Sequence, residues 1–181
     1  MNIANFLKIV SYKLLWINWI LVFITLVSLF FTPIASPLFF VFYSNLFDVY
    51  GYYFVLRRLW TREGSKDFAL SYNVVIAYRI IHHFFDYTLL VLIWFVFGFK
   101  FALAGWVMKM FGLQDVLFYK VLSIEPPKVW TWLKWTPFGL LENLIRGKGL
   151  ENWLVIVQAG LGFLIYILIC YVWDKNCWNF L

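Results

Sequence analysis

The stretch "FALAGWVMKMFGLQDVLFYKVL", residues 101–122, decides how this chain is threaded. It is apolar enough to cross a bilayer, yet it contains Lys109 and Asp115. Taken as a span it makes five, and taken as a loop it leaves four. The basic residues arbitrate, because short cytoplasmic loops carry an excess of Lys and Arg. With four spans and the N-terminus inside, eight basic residues fall inside and six outside, with Lys100 at the boundary. With five, Lys120, Lys128, Lys134, Arg146 and Lys148 join Lys8, Lys13, Arg57, Arg58, Arg62, Lys66 and Arg79 inside, leaving Lys100 and Lys175 outside and Lys109 within the membrane. Twelve against two is the stronger asymmetry. The expected fold is therefore an all-α polytopic transmembrane helix bundle of five spans (alternative four), with its N-terminus cytoplasmic.

The expected spans are residues 14–32, 37–56, 80–99, 101–122 and 153–173, in a single integral membrane domain covering residues 1–181. Pro33 and Pro37 in "TPIASP" interrupt the apolar run and mark the first turn. The turn between the third and fourth helices falls near "GFKFALAG", with Gly98, Lys100 and Gly105. The first apolar run is longer than a signal-peptide core and no clear cleavage site follows, so a retained first helix is expected. After the charged loop "RRLWTREGSKDF" the third helix begins near Phe68 and reaches the bilayer around Ile80. Residues 123–152 read as an interfacial cytoplasmic segment. In it Trp130, Trp132 and Trp135 alternate with Lys128 and Lys134, which suits the headgroup level. Pro137 and Gly139 then open a short amphipathic helix over "LLENLIRG", expected to anchor the bundle.

Composition supports the membrane class independently. The chain is 64% hydrophobic and only 13% charged, where soluble domains run at about 45–50% and about 25%. A core of 181 residues could not hide so much apolar surface from water, so lipid must cover it. The net charge of +6 comes from basic residues in loops between apolar spans, which argues for orientation and lipid headgroups and against nucleic acid. Cys170 and Cys177 form no CxxC pair and no disulfide framework. The composition fits a prokaryotic inner membrane, and the expected location is a cell membrane, multi-pass.

Polar groups inside the spans are the candidate site. In "YRIIHHFFDY", residues 78–87, helical spacing places Arg79, His82, His83 and Asp86, with Tyr72, within about 100° of arc. Beyond Asp86 that face is apolar, so the stripe covers only the cytoplasmic half. Helix two brings Ser44, Asn45, Asp48 and Tyr52 on one face, with Asp48 about 13 Å inside the inner boundary. A turn near Lys100 would set Asp115 at the depth of Asp86, with Gln114 and Tyr119 nearby. Ionisable groups at membrane depth usually face the bundle interior and pair with one another.

These residues suggest an intramembrane enzyme acting on a lipidic or isoprenoid substrate by acid/base or metal-assisted chemistry. Asp48, His83, Asp86 and Asp115 are the catalytic candidates, and Arg79, Gln114 and Tyr119 the substrate-binding ones. His82 and Asp86, one turn apart, are a candidate ligand pair for a divalent metal. A bis-histidine haem is disfavoured because the two histidines are adjacent. No HExxH, G-x-S-x-G or serine–histidine arrangement is legible. Two other classes compete. In one, the chain is a structural or accessory subunit of a larger membrane complex, with Ala159, Gly160 and Gly162 allowing close helix packing. In the other it is a proton or ion transport component. Membrane lipids, and possible further membrane subunits, are the expected partners.

Overall fold

The computed structural model describes residues 13–51, 68–122, 125–147 and 149–177. The described residues are mostly helical: α1 (Lys13–Ser28), α2 (Ser36–Asp48), α3 (Phe68–Phe97), α4 (Phe99–Met110), α5 (Leu113–Leu122), α6 (Pro137–Arg146) and α7 (Asn152–Cys177). Two helices are long and apolar enough to cross a membrane, over Ile76–Phe97 and Asn152–Tyr171, and a third span is available if α4 and α5 count together. α1 is a shorter apolar helix. The second expected span is described only to Gly51; its remainder and the charged loop at 57–68 lie outside the described residues, apart from Phe68, which opens α3.

Each turn has a local cause. A short 3-10 turn at Pro33–Ala35, capped by the Thr32 side chain, joins α1 to α2. Gly98 adopts φ 103° and ψ 156° between α3 and α4. That backbone region is essentially reserved for glycine, so the chain reverses in a single residue. The reversal is a hairpin in which Leu90 packs near Gly105, and Asp86 pairs with Lys109. The expected helix over 101–122 is instead two helices, bent by 61° at Phe111 and Gly112, where Gly112 has φ 77°. A left-handed glycine ends a helix without the Cβ clash that other residues meet.

Neighbouring elements alternate in direction. Asn45 Nδ2 donates to Asn18 Oδ1 at 3.3 Å across the α1–α2 pair. α7 runs back along α4, with Gly162 against Phe111 and Met108, and Tyr166 Oη donating to Ile34 O at 3.1 Å. Phe40, Val41, Leu90, Ile93, Phe101, Ala104 and Met108 form the core between α2, α3 and α4. Elsewhere α3 shows apolar side chains outward, such as Phe84, Phe95 and Val96. Outward apolar side chains on a long helix are what a lipid environment rewards.

Of the three small residues expected to allow close packing on the last helix, two lie in the interface. Ala159 is buried, and a Cβ on Gly162 would stand 2.5 Å from Phe111 Cβ. Gly160 is exposed and a Cβ there meets nothing within 4 Å. Gly162→Ala is expected to cost about 1–3 kcal/mol by overpacking. Gly160→Ala should be neutral or raise stability by up to about 1 kcal/mol through helix propensity. Thermal unfolding of the purified variants checks the pair, and equal effects would contradict this packing.

The segment after α5, expected to lie at the headgroup level, has its ends joined: β1 (Val129–Trp130) pairs antiparallel with β2 (Leu150–Glu151). Trp130 departs from the expectation for the three tryptophans. It is fully buried, its ring 4.9 Å from Tyr119 and edge-on to it, with Nε1 donating to Asn152 Oδ1 at 3.3 Å. Trp132 and Trp135 remain exposed.

Candidate functional site

Four helices contribute polar side chains to one buried network. α2 brings Ser44 and Asp48, α3 His82 and Asp86, α4 Lys109, and α5 Gln114. His82 lies between two carboxylates, Nδ1 2.9 Å from Asp48 Oδ1 and Nε2 3.2 Å from Asp86 Oδ2. Ser44 Oγ donates to Asp86 Oδ1 at 2.6 Å and lies 3.0 Å from Gln114 Oε1 and 3.2 Å from His82 Nε2. Lys109 Nζ donates to Asp86 Oδ2 and, at 3.2 Å, to Ser44 Oγ. Gln114 Nε2 donates to Asp48 Oδ2 at 2.5 Å, and Tyr78 Oη donates to Asp48 Oδ1 at 3.2 Å.

The backbone explains why these groups meet. Asp86 and Lys109 stand twelve and eleven residues from Gly98, so each lies about 17 Å along its helix from the turn. The break at Gly112 then redirects the chain, so Gln114 in the first turn of α5 reaches the same cluster as Lys109 in the last turn of α4. A lysine in a helix's last turn also faces the negative end of the helix dipole. Its ammonium stands 5.8 Å from the Phe40 ring centroid, within cation–π range. Phe47 stacks on His82 at 5.2 Å and on Phe85 at 5.2 Å, walling the imidazole with aromatic rings.

Burial grades across the network. Ser44, His82, Asp86 and Gln114 are buried. Asp48 is the open end, its side chain 26% exposed. Two carboxylates and one ammonium in such a place are expensive to desolvate, and the attraction between them compensates only if the remaining lone pairs are satisfied. Here both Asp86 oxygens and both Asp48 oxygens have partners.

The expected convergence is thus found in part. Asp48, His82, Asp86 and Gln114 are brought together. The polar stripe of the third helix divides: His82 and Asp86 turn inward, Arg79 is exposed, and His83, also exposed, lies at the network's edge with its ring parallel to that of His82 at 6.1 Å. Asp115 stands beside the network, close enough to Asp48 and Lys109 to feel their charges, and accepts from Trp132 Nε1 at 3.0 Å. Tyr119 packs on Trp130. Both therefore tie α5 to the segment at 125–147. The chain reverses at Gly98 and not at Lys100. That places Lys109, expected only to lie within the membrane, level with Asp86.

Sequence reasoning also missed Ser44 as a partner of histidine. The order Ser44, His82, Asp48 reproduces the hydrogen-bond sequence of a nucleophile, base and orienting acid. Ser44 is nevertheless fully buried within a helix, and its hydroxyl is directed at Asp86, so it serves as the hub of the network. The metal-ligand reading of His82 and Asp86 fares similarly. Both ring nitrogens face carboxylate oxygens, and the Lys109 cation already stands on Asp86. Among the described residues no group of three or more His, Cys, Asp or Glu side chains is arranged to hold a metal ion. No protein-family model matches this chain, and the comparisons with curated proteins and with solved structures likewise return no match.

Proposed function

We propose that the chain is a multi-pass protein of a cell membrane, with five spans and a cytoplasmic N-terminus. We further propose that its Asp48–His82–Asp86–Lys109 network is an acid–base site for a lipidic or isoprenoid substrate. The alternating directions of α1, α2, α3, the α4–α5 pair and α7 support the five-span threading, and the charge asymmetry supports its orientation. On that threading the network lies about 17 Å below the outer turn, in the cytoplasmic half of a bilayer core about 30 Å thick.

One observation carries the catalytic reading: an imidazole held between two carboxylates whose outer member, Asp48, is partly open. An oriented imidazole–carboxylate pair can take and return a proton at a fixed point. A substrate reaching Asp48 from the bilayer would have an apolar tail, since apolar side chains surround the site. Among the described residues the core above the network, with Phe40, Leu90, Ile93, Phe101 and Ala104, is apolar but for Tyr166, whose hydroxyl donates to Ile34 O at 3.1 Å. This ranks the transport reading lower. A second reading has its own support: the network links four helices and its donors and acceptors are mutually satisfied, as a structural subunit would need.

The test compares total lipid extracts of membranes overproducing the wild type and Asp48→Asn, with both proteins quantified and monodisperse after purification. The enzyme reading expects one amphiphile to change several-fold in abundance with the wild type and not with the variant. Identical lipid profiles from two well-folded proteins would sink it. An Asp48→Asn protein that no longer purifies as a single species would favour the structural reading.

A further inference from the structure

α6 is amphipathic in the wrong sense for a helix bathed in water. At about 100° per residue, Leu140, Leu144, Leu141 and Ile145 occupy one arc of about 140°, and Glu142 and Asn143 lie outside it. A soluble protein turns such an apolar arc toward its own core. Here the side turned to the rest of the chain is Phe138, Gly139 and Glu142, and the apolar arc points away. Leu144 is 81% exposed, Ile145 76% and the adjoining Trp135 78%. Exposed apolar area of this kind marks an interaction surface.

The placement of α6 identifies what covers it. It follows α5 and precedes α7 in the chain, and its first turn is tied to α7 by Phe138 N donating to Gln158 Oε1 at 2.7 Å. On the threading above, both of those helices meet the same leaflet, so α6 cannot leave the membrane surface. The exposed flanking groups include Trp132, Trp135, Lys128 and Lys134, beside Glu125, Val129 and Thr131. Amphipathic rings and long basic side chains are favoured at the headgroup level. The start of α7 also turns apolar side chains outward, Trp153, Ile156 and Val157.

We infer that α6 is an in-plane membrane helix, its Leu140–Leu144–Ile145 face seated at the headgroup–acyl boundary of the leaflet that α5 and α7 enter. The occupant of this surface is the bilayer itself, with Lys128 and Lys134 facing its phosphates. This depends on the chain being membrane-embedded and not on the acid–base reading of the network. Helices of this kind bury their apolar side about 5–10 Å into the boundary.

The full-length protein, in a background without its two cysteines, would be spin-labelled at Leu144→Cys, Ile145→Cys or Asn143→Cys. It would then be reconstituted in nanodiscs of phosphatidylethanolamine and phosphatidylglycerol. Accessibility to oxygen, which concentrates in the acyl region, is compared with accessibility to a water-soluble nickel chelate. The oxygen-to-nickel ratio should be several-fold higher at positions 144 and 145 than at 143. Equal nickel accessibility at 144 and 143 would overturn the inference, since both would then face water. Spin–spin broadening at 144 would overturn it too, by showing a second copy on this face. Leu140→Cys, on the same arc, replaces either label if one of them perturbs the fold, and the same two outcomes apply to it.

Discussion

Asp86→Asn is expected to lower the stability of the purified protein by about 3–5 kcal/mol, the cost typical of removing one partner from a buried ion pair. The reason lies in what remains. Without the Asp86 charge, the Lys109 ammonium is left part-buried between helices with Ser44 Oγ as its neutral partner. His82 Nε2 loses its carboxylate, and the asparagine keeps one oxygen for the Ser44 hydroxyl while setting an NH2 donor where Asp86 Oδ2 accepted from Lys109 and His82. Lys109→Met should cost somewhat less, because Asp86 keeps both Ser44 and His82. The double variant is the decisive measurement. Paired charges that are removed together leave no orphan, so the two losses should fall short of adding by about 0.5–3 kcal/mol. Thermal and chemical unfolding in detergent would measure all three proteins. Losses that simply add would mean Lys109 and Asp86 do not act on one another, and the network as described would be wrong.

Gly139→Ala is expected to have the second large effect, about 3 kcal/mol, at the upper end of ordinary overpacking. A Cβ at this position would stand 1.8 Å from Leu133 O, 2.8 Å from Leu133 C and 2.9 Å from Thr136 Oγ1. Two of those atoms are backbone, so no side-chain rotation relieves the collision. The 3-10 turn at Leu133–Trp135 and the first turn of α6 would have to separate. That separation would break the cap in which Thr136 Oγ1 accepts from Gly139 N at 3.3 Å. Thr136→Ala loses that cap and the bond its Oγ1 donates to Leu133 O at 2.7 Å, and should cost about 1–2 kcal/mol. Protease cleavage within 125–147 should rise sharply for Gly139→Ala and modestly for Thr136→Ala, while the helices around the network stay protected. Equal protection of both variants would show that this turn is not packed as observed.

Much of the architecture was legible in local chemistry. Apolar runs with helical spacing announce helices, Pro33 and Pro37 announce the first turn, and Gly98 lies in the stretch named for the reversal. The start of the third helix near Phe68 and the short helix opening at Pro137 also agree with the structure. Residues Asp48, His82, Asp86 and Gln114 were legible as candidates because polar groups stand out in an apolar background. Lys109 stood out equally and was given no partner.

Its pairing depended on a quantity the sequence states only loosely. In a helical hairpin, each residue by which the turn moves shifts the facing partner by two. A reversal centred near Lys100 pairs Asp86 with Asp115, while one at Gly98 pairs it with Lys109. The first would have set two carboxylates side by side, and the second sets an ammonium on a carboxylate. The bend at Gly112 had a comparable consequence, turning Asp115 toward Trp132 and Gln114 into the network. Periodicity is a property of one helix and can be read from its residues alone. Which polar groups touch is a property of several helices at once, set by turn positions and bends that the apolar pattern leaves open by a turn or more.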